Sequence, residues 1–119
     1  MKQNKIMEAY HATESMADNN NISHEDQWKI YQARKAMRPH IEFYEERTKA
    51  IQSKYVEYAD ENGTISGEPF RNYQKDIAEL LDMEKDMEDY KVPTVKLVDG
   101  INFKTIEALE GLIEFEPAE

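Results

Sequence analysis

The chain has 119 residues, 39 % of them hydrophobic and 34 % charged, with a formal net charge of −10 and no cysteine. That length favours one domain with a modest core, and the lack of cysteine excludes a disulfide framework, a thiolate zinc site and a cysteine nucleophile. No apolar run approaches the roughly eighteen residues that span a bilayer, and the N-terminus MKQNKIMEAYHATE has no apolar stretch of the secretory kind, so the sequence predicts a cytoplasmic protein with no membrane partner.

Residues 3–18 place Ile6, Tyr10 and Ala17 on one helical row with Met7 alongside, and the polar run Asp18-Asn19-Asn20-Asn21 ends it. Thr13 occupies the remaining position of that row and weakens its apolar character. Ser23, followed three residues later by Asp26, forms a variant capping box that starts a second helix. This helix carries the clearest periodicity in the chain. Ile30, Met37, Tyr44, Ile51 and Tyr58 recur every seven residues, and a companion row holds Arg34, Ile41, Thr48 and Tyr55. An apolar seam of this length packs against a helical partner, with Tyr44, Ile51, Tyr55 and Tyr58 as its anchors. Pro39 removes one backbone hydrogen bond from the run, so the helix either kinks or divides near Arg38.

The turn-rich stretch YADENGTISGEP stops the second helix, and Pro69 suits the first turn of a third. Phe70, Tyr73, Ile77, Leu80 and Leu81 fall on one arc, while Glu79, Asp82, Asp86 and Asp89, spaced three, four and three, fall on the opposite one. The expected hairpin therefore sets residues 23–57 against 69–85, burying one face of the third helix and exposing carboxylates on the other. Beyond Asp82 the periodicity decays, and Val92-Pro93 marks a boundary. Thr94 to Val98 alternates as a short strand ending in the turn Asp99-Gly100. A brief helix over 105–109 and a terminal run, Leu112-Ile113-Glu114-Phe115, complete the chain, and that run is able to pair with the strand. Two strands alone are marginal, so they must pack on the helices. The fold class expected is α+β and mostly α: one domain with an N-terminal helix and linker (1–22), a long helical hairpin (23–86) and a small C-terminal α/β cap with a β element (90–117).

Charge divides unevenly over these elements. Residues 1–58 hold nine basic and nine acidic side chains, whereas residues 59–119 hold six and sixteen, so the entire net charge lies in the second half. Net charge governs steering and choice of partner rather than fold, and the row Glu79, Asp82, Asp86 and Asp89 predicts a surface for a basic protein. Carboxylates spaced about 5 Å apart along a helix approach the scale of a phosphate strand, although a solvated helix face is the commoner cause of such a row. If the third and N-terminal helices leave the seam unfilled, the seam builds a homodimer.

The loop at residues 58–69 has a second reading as a degenerate EF-hand. With Gly63 at position 6, Asp60, Asn62, Ile65 and Ser66 occupy suitable places, but Tyr58 and Pro69 stand where the two strongest anionic ligands belong. A calcium- or metal-responsive module is thus the alternative function, and a tight Asn-Gly turn the plainer reading. His11, His24 and His40 have no ligand spacing, and no phosphate loop, dinucleotide fingerprint or serine elbow is present, so no cofactor and no enzymatic activity are expected. The basic pairs near Arg34 and Arg47 are interleaved with or flanked by acids, which argues against nucleic-acid binding. Trp28 and the tyrosines read as core or interface aromatics.

In order, the capped helix, IEFYEERTKAIQSKY, the DENG turn, AELLDMEKDMEDYKV, KLVDG and IEALEGLIEF resemble small phage and prophage proteins of Gram-positive bacteria, many of unknown function. The resemblance spans roughly residues 25–117. It implies a viral, intracellular, non-enzymatic accessory protein. Joined to the seam and the acidic row, this gives the expected function: binding of a basic host or phage protein in the host cytoplasm, in particle assembly or in interference with a host factor. The resemblance itself assigns no functional residues.

Overall fold

The computed structural model describes residues 1–87 and 89–118. Helix α1 spans Gln3–Ala17, α2 His24–Tyr55, α3 Gly67–Leu81 and α4 Phe103–Ala108; strands β1 and β2 span Thr94–Leu97 and Glu114–Pro117. The α+β, mostly α architecture and the long helical hairpin agree with the sequence reading. A 3-10 turn, Val56–Tyr58, closes α2. The molecule measures 57 × 31 × 19 Å, because the far half of α2 and α3 project as a two-helix arm from a broader body. Among the described residues no helix is long and apolar enough to cross a membrane.

α2 starts as its sequence requires. The Ser23 hydroxyl accepts the Asp26 backbone N–H at 3.1 Å. The Asp26 carboxylate, however, accepts the Lys96 N–H of β1 at 3.0 Å rather than returning to the cap, and Lys29 Nζ donates to the Thr94 carbonyl at 3.0 Å. The cap residue thereby ties the helix start to the strand. Pro39 does not divide α2, which runs through it as one 32-residue helix. The proline is exposed, and the packing of both flanks outweighs one missing backbone bond.

On α1 the buried face is Gln3, Ile6, Ala9, Thr13 and Met16, rotated from the row expected; Tyr10 is half-buried and Ala17 exposed. Thr13 is buried because it has polar partners. Its hydroxyl donates to the Tyr10 carbonyl and accepts a hydrogen bond from the Arg34 guanidinium. Thr13 in the row of α1 and Arg34 in the row of α2 thus satisfy one another, which removes the cost of burying either one alone.

The heptad rows of α2 serve two separate cores. Ile30, Ala33 and Met37 join Ile6, Met16, Val95, Leu109 and Leu112 in the body, while Ile51 and Tyr55 join Leu80 in the arm. At the body end the C-terminal element forms a parallel pair, with Thr94 opposite Glu114 and Leu97 opposite Pro117. α4 makes the crossover, as a parallel connection demands, and its N-cap Asn102 accepts the Thr105 N–H at 2.9 Å. Asn19 and Asn21 of the linker both donate to the Asp99 carbonyl. At the adjacent turn Gly100 has φ +94°, and a Cβ there would meet Asn19 Nδ2 at 2.6 Å, so no other residue fits without a shift.

Candidate functional site

The acidic row predicted for one helix face is built differently. α3 ends at Leu81, and Asp82 caps it, its N–H donating to the Ala78 carbonyl at 3.1 Å. Asp86 and Asp89 therefore lie beyond the helix. The helix stops because the chain gains better partners: the Gln3 N–H donates to the Met83 carbonyl at 2.9 Å and the Lys85 N–H to the Met1 carbonyl at 2.7 Å. This short antiparallel bridge brings charge together as well. Lys2 Nζ lies 2.6 Å from Asp82 Oδ1, and the Met1 ammonium 3.0 Å from Glu84 Oε2.

Past the bridge, the chain crosses the middle of α2 and encloses an open cavity of about 540 Å³, where Asp86, Asp89 and Lys91 face Gln32 and His40. Tyr90 fixes the far end of the crossing. Its hydroxyl donates to the Leu112 carbonyl, and burial pushes its pKa up to about 12. Burial, and then the neighbouring Lys85 ammonium, hold His40 below the ordinary histidine range against the opposing pull of Asp86. The cavity wall is thus a neutral imidazole beside carboxylates at neutral pH. Lys85 itself sits 3.6 Å over the Phe43 ring, which anchors the crossing to α2.

Glu79 is not part of this group. It is exposed on α3 near Asp76, Arg47 and Lys54, on the charged side of the arm. The row thus separates into Glu79 on the arm, Asp82 at the helix end within an ion pair, and Asp86 with Asp89 at the cavity.

The four seam anchors also separate. Ile51 and Tyr55 are buried against α3, which fills that stretch of the seam. The Tyr55 hydroxyl donates to Asp76 Oδ2 at 2.7 Å, and its ring meets Tyr73 edge-on at 5.8 Å. Tyr44 is half-buried along a shallow groove with Tyr73 and Ile77. Tyr58 is exposed because the 3-10 turn shifts the helical phase just before it.

In the loop at 58–69, Asp60 Oδ1 accepts the N–H groups of Asn62 and Thr64, each at 2.9 Å, and Gly63 takes φ +79°. The carboxylate that would lead a calcium site closes its own turn, as the plainer reading expects. Among the described residues no group of three or more His, Cys, Asp or Glu side chains is placed to hold a metal ion.

Sequence reasoning missed two features. His40 joins the acidic segment only through tertiary crossing, which local periodicity cannot show. Trp28 and Tyr31 are 60 % and 45 % exposed, so they belong to no core. Their signal was available in the spacing to His24, Lys35 and Arg38, which puts all five on the face of α2 turned away from Ile30 and Met37. No family model, curated protein or solved structure matches the chain.

Proposed function

We propose that this chain is a non-enzymatic accessory protein of a phage or prophage that docks a basic protein partner on its acidic segment. The observation that carries this reading is the concentration of exposed carboxylates at Asp82, Glu84, Asp86 and Asp89 on a crossing held at both ends, by the bridge to residues 1–3 and by Tyr90. A charged segment fixed in place binds with less ordering cost than a mobile tail. The viral origin rests on the order of sequence features alone.

Reversing charge at Asp86 and Asp89, the two carboxylates at the cavity, tests the reading and leaves the Lys2–Asp82 pair in place. Immobilised wild-type chain should capture a basic protein from host lysate, identified by mass spectrometry, and the purified pair should weaken as salt shortens the screening length to about 8 Å near physiological strength. Asp86→Lys/Asp89→Lys should lower that affinity at least tenfold. Equal affinity for both proteins, or binding indifferent to salt, would move the interface elsewhere.

A further inference from the structure

The outer face of α2 carries a stripe that neither core uses. His24, Trp28, Tyr31, Lys35 and Arg38 are spaced four, three, four and three, which aligns them over about 21 Å of helix. All five are exposed. The Trp28 and Tyr31 rings stack at 5.4 Å with planes 20° apart. From α1, Tyr10 broadens the stripe, with the Arg34 guanidinium 4.2 Å over its ring. Asp26 is buried against Lys96 and Glu14 faces His11 on α1, while exposed Glu25 flanks Trp28 and Glu42 continues the row one turn beyond Arg38, bounding the basic end of the stripe.

Trp, Tyr and Arg are the residue types that dominate binding energy at protein interfaces, and a helix presents such anchors to a partner as a ridge spaced by turns. This ridge asks for an occupant with apolar atoms for two rings and carboxylates for two cations. The chain carries such a surface elsewhere. The segment that crosses α2 brings Asp82, Glu84, Asp86 and Asp89 together with exposed Met83. That segment crosses α2 on the side of Ala36 and His40, roughly a third of a turn round from the stripe, so one copy cannot close on itself.

We propose that the Trp28–Arg38 stripe of one copy docks on the acidic segment of a second copy, head to tail. The inference rests on the reading of residues 82–89 as a docking surface. A nucleic-acid strand fits less well, since it is anionic along its whole length and would run from Arg38 onto Glu42, Glu45 and Glu46. After one such contact the first copy still offers its acidic segment and the second its stripe, so the contact propagates into rings or filaments rather than stopping at a symmetric pair. It also sets an unusual salt dependence. Two copies of charge −10 repel over about 30 Å at 0.01 M salt, while at about 0.15 M only contacts within about 8 Å still count, and by about 1 M those are screened too.

Trp28 is the single tryptophan, so its fluorescence reports on the stripe alone. In sedimentation velocity the wild-type mass should rise with concentration above 14.0 kDa, most strongly at the intermediate salt, with Trp28 emission moving to the blue. Lys35→Glu/Arg38→Glu and Asp86→Lys/Asp89→Lys should each stay monomeric, and their equimolar mixture should associate again, because each variant supplies the charge the other lost. Wild type that stays monomeric at every salt, variants that associate alone, or a mixture that does not recover would overturn the proposal. Trp28 quenching by a single-stranded dT oligonucleotide without growth in mass would overturn it in favour of a nucleic acid. Association lost in Asp86→Lys/Asp89→Lys with capture of the basic partner unchanged would remove the functional reading and leave self-docking standing. Monomeric wild type with that capture lost would do the reverse.

Discussion

The body and the arm share one helix, and the same heptad spacing does different work in each. In the body Ile30 and Met37 are 2 % and 0 % exposed, closed over by α1 on one side and by the β1-α4-β2 element on another. In the arm α3, with Ile65 of the preceding loop, makes a single covering layer among the described residues, so Ile51 and Tyr55 keep 8 % and 5 % exposure and Tyr44 remains half-covered. Among the described residues the body core gathers eleven buried side chains and the arm three. A repeat therefore states that a face is apolar, while the number of layers above it decides how much stability that face supplies. It follows that the arm should open before the body does, as regions with few buried apolar contacts generally do.

Core truncation should show this difference most strongly. Leu112→Ala removes a fully buried side chain from the body, and a loss of about 3 kcal/mol in denaturant unfolding is expected, felt by every element. Leu80→Ala in the arm should cost about 2 kcal/mol, since its site is less enclosed, and should act locally. Amide exchange would then quicken over residues 44–81 while α1 and β1 keep their protection. If exchange rises everywhere to the same degree in Leu80→Ala, body and arm form a single cooperative unit and the comparison fails.

A smaller effect of opposite sign is expected at Thr48. Its hydroxyl is buried without a hydrogen-bond partner in the arm groove, and such a group costs more than an apolar one of the same shape. Thr48→Val should therefore stabilise the arm by about 1 kcal/mol, measured as slower exchange around Tyr44 and Ile77. Unchanged or faster exchange would mean that the hydroxyl is satisfied in solution.

The same contrast explains what was legible in the sequence. Helix starts were local and readable, as at Ser23, and so were the strand, read over 94–98 and built over Thr94–Leu97, and the turn that joins α2 to α3. The extension of α3 to Asp86 was not, because helical spacing of acids continued past Leu81 while the backbone found residues 1–3, some eighty positions away. Asp26 looked like a capping acid and became the acceptor for β1 for the same reason. At the candidate site, the charges of Asp86 and Asp89 could be found by counting, but their grouping with His40 could not. Trp28 was assigned by residue type to a core or interface, although its angular position on α2 set it opposite the buried row.

Acidification should give the smallest effect and the most selective one. The Tyr55 hydroxyl bond, assisted by Lys54, holds the Asp76 carboxyl below the usual aspartate value. A carboxyl depressed on folding contributes stability above its unfolded pKa of about 3.9, and loses it as pH falls through the lower folded value. Asp76 joins only α2 to α3, so that loss should appear in the arm and leave the body untouched. Tyr55 and Tyr73 ring resonances should shift as pH drops below about 3.9, before those of Tyr90, whose partner is a backbone carbonyl with nothing to titrate. In Asp76→Asn the arm should start out looser and lack this acid step. An acid step of equal size in both proteins would assign it to another carboxylate and leave the Tyr55–Asp76 contact as geometry without a measurable share in holding the arm closed.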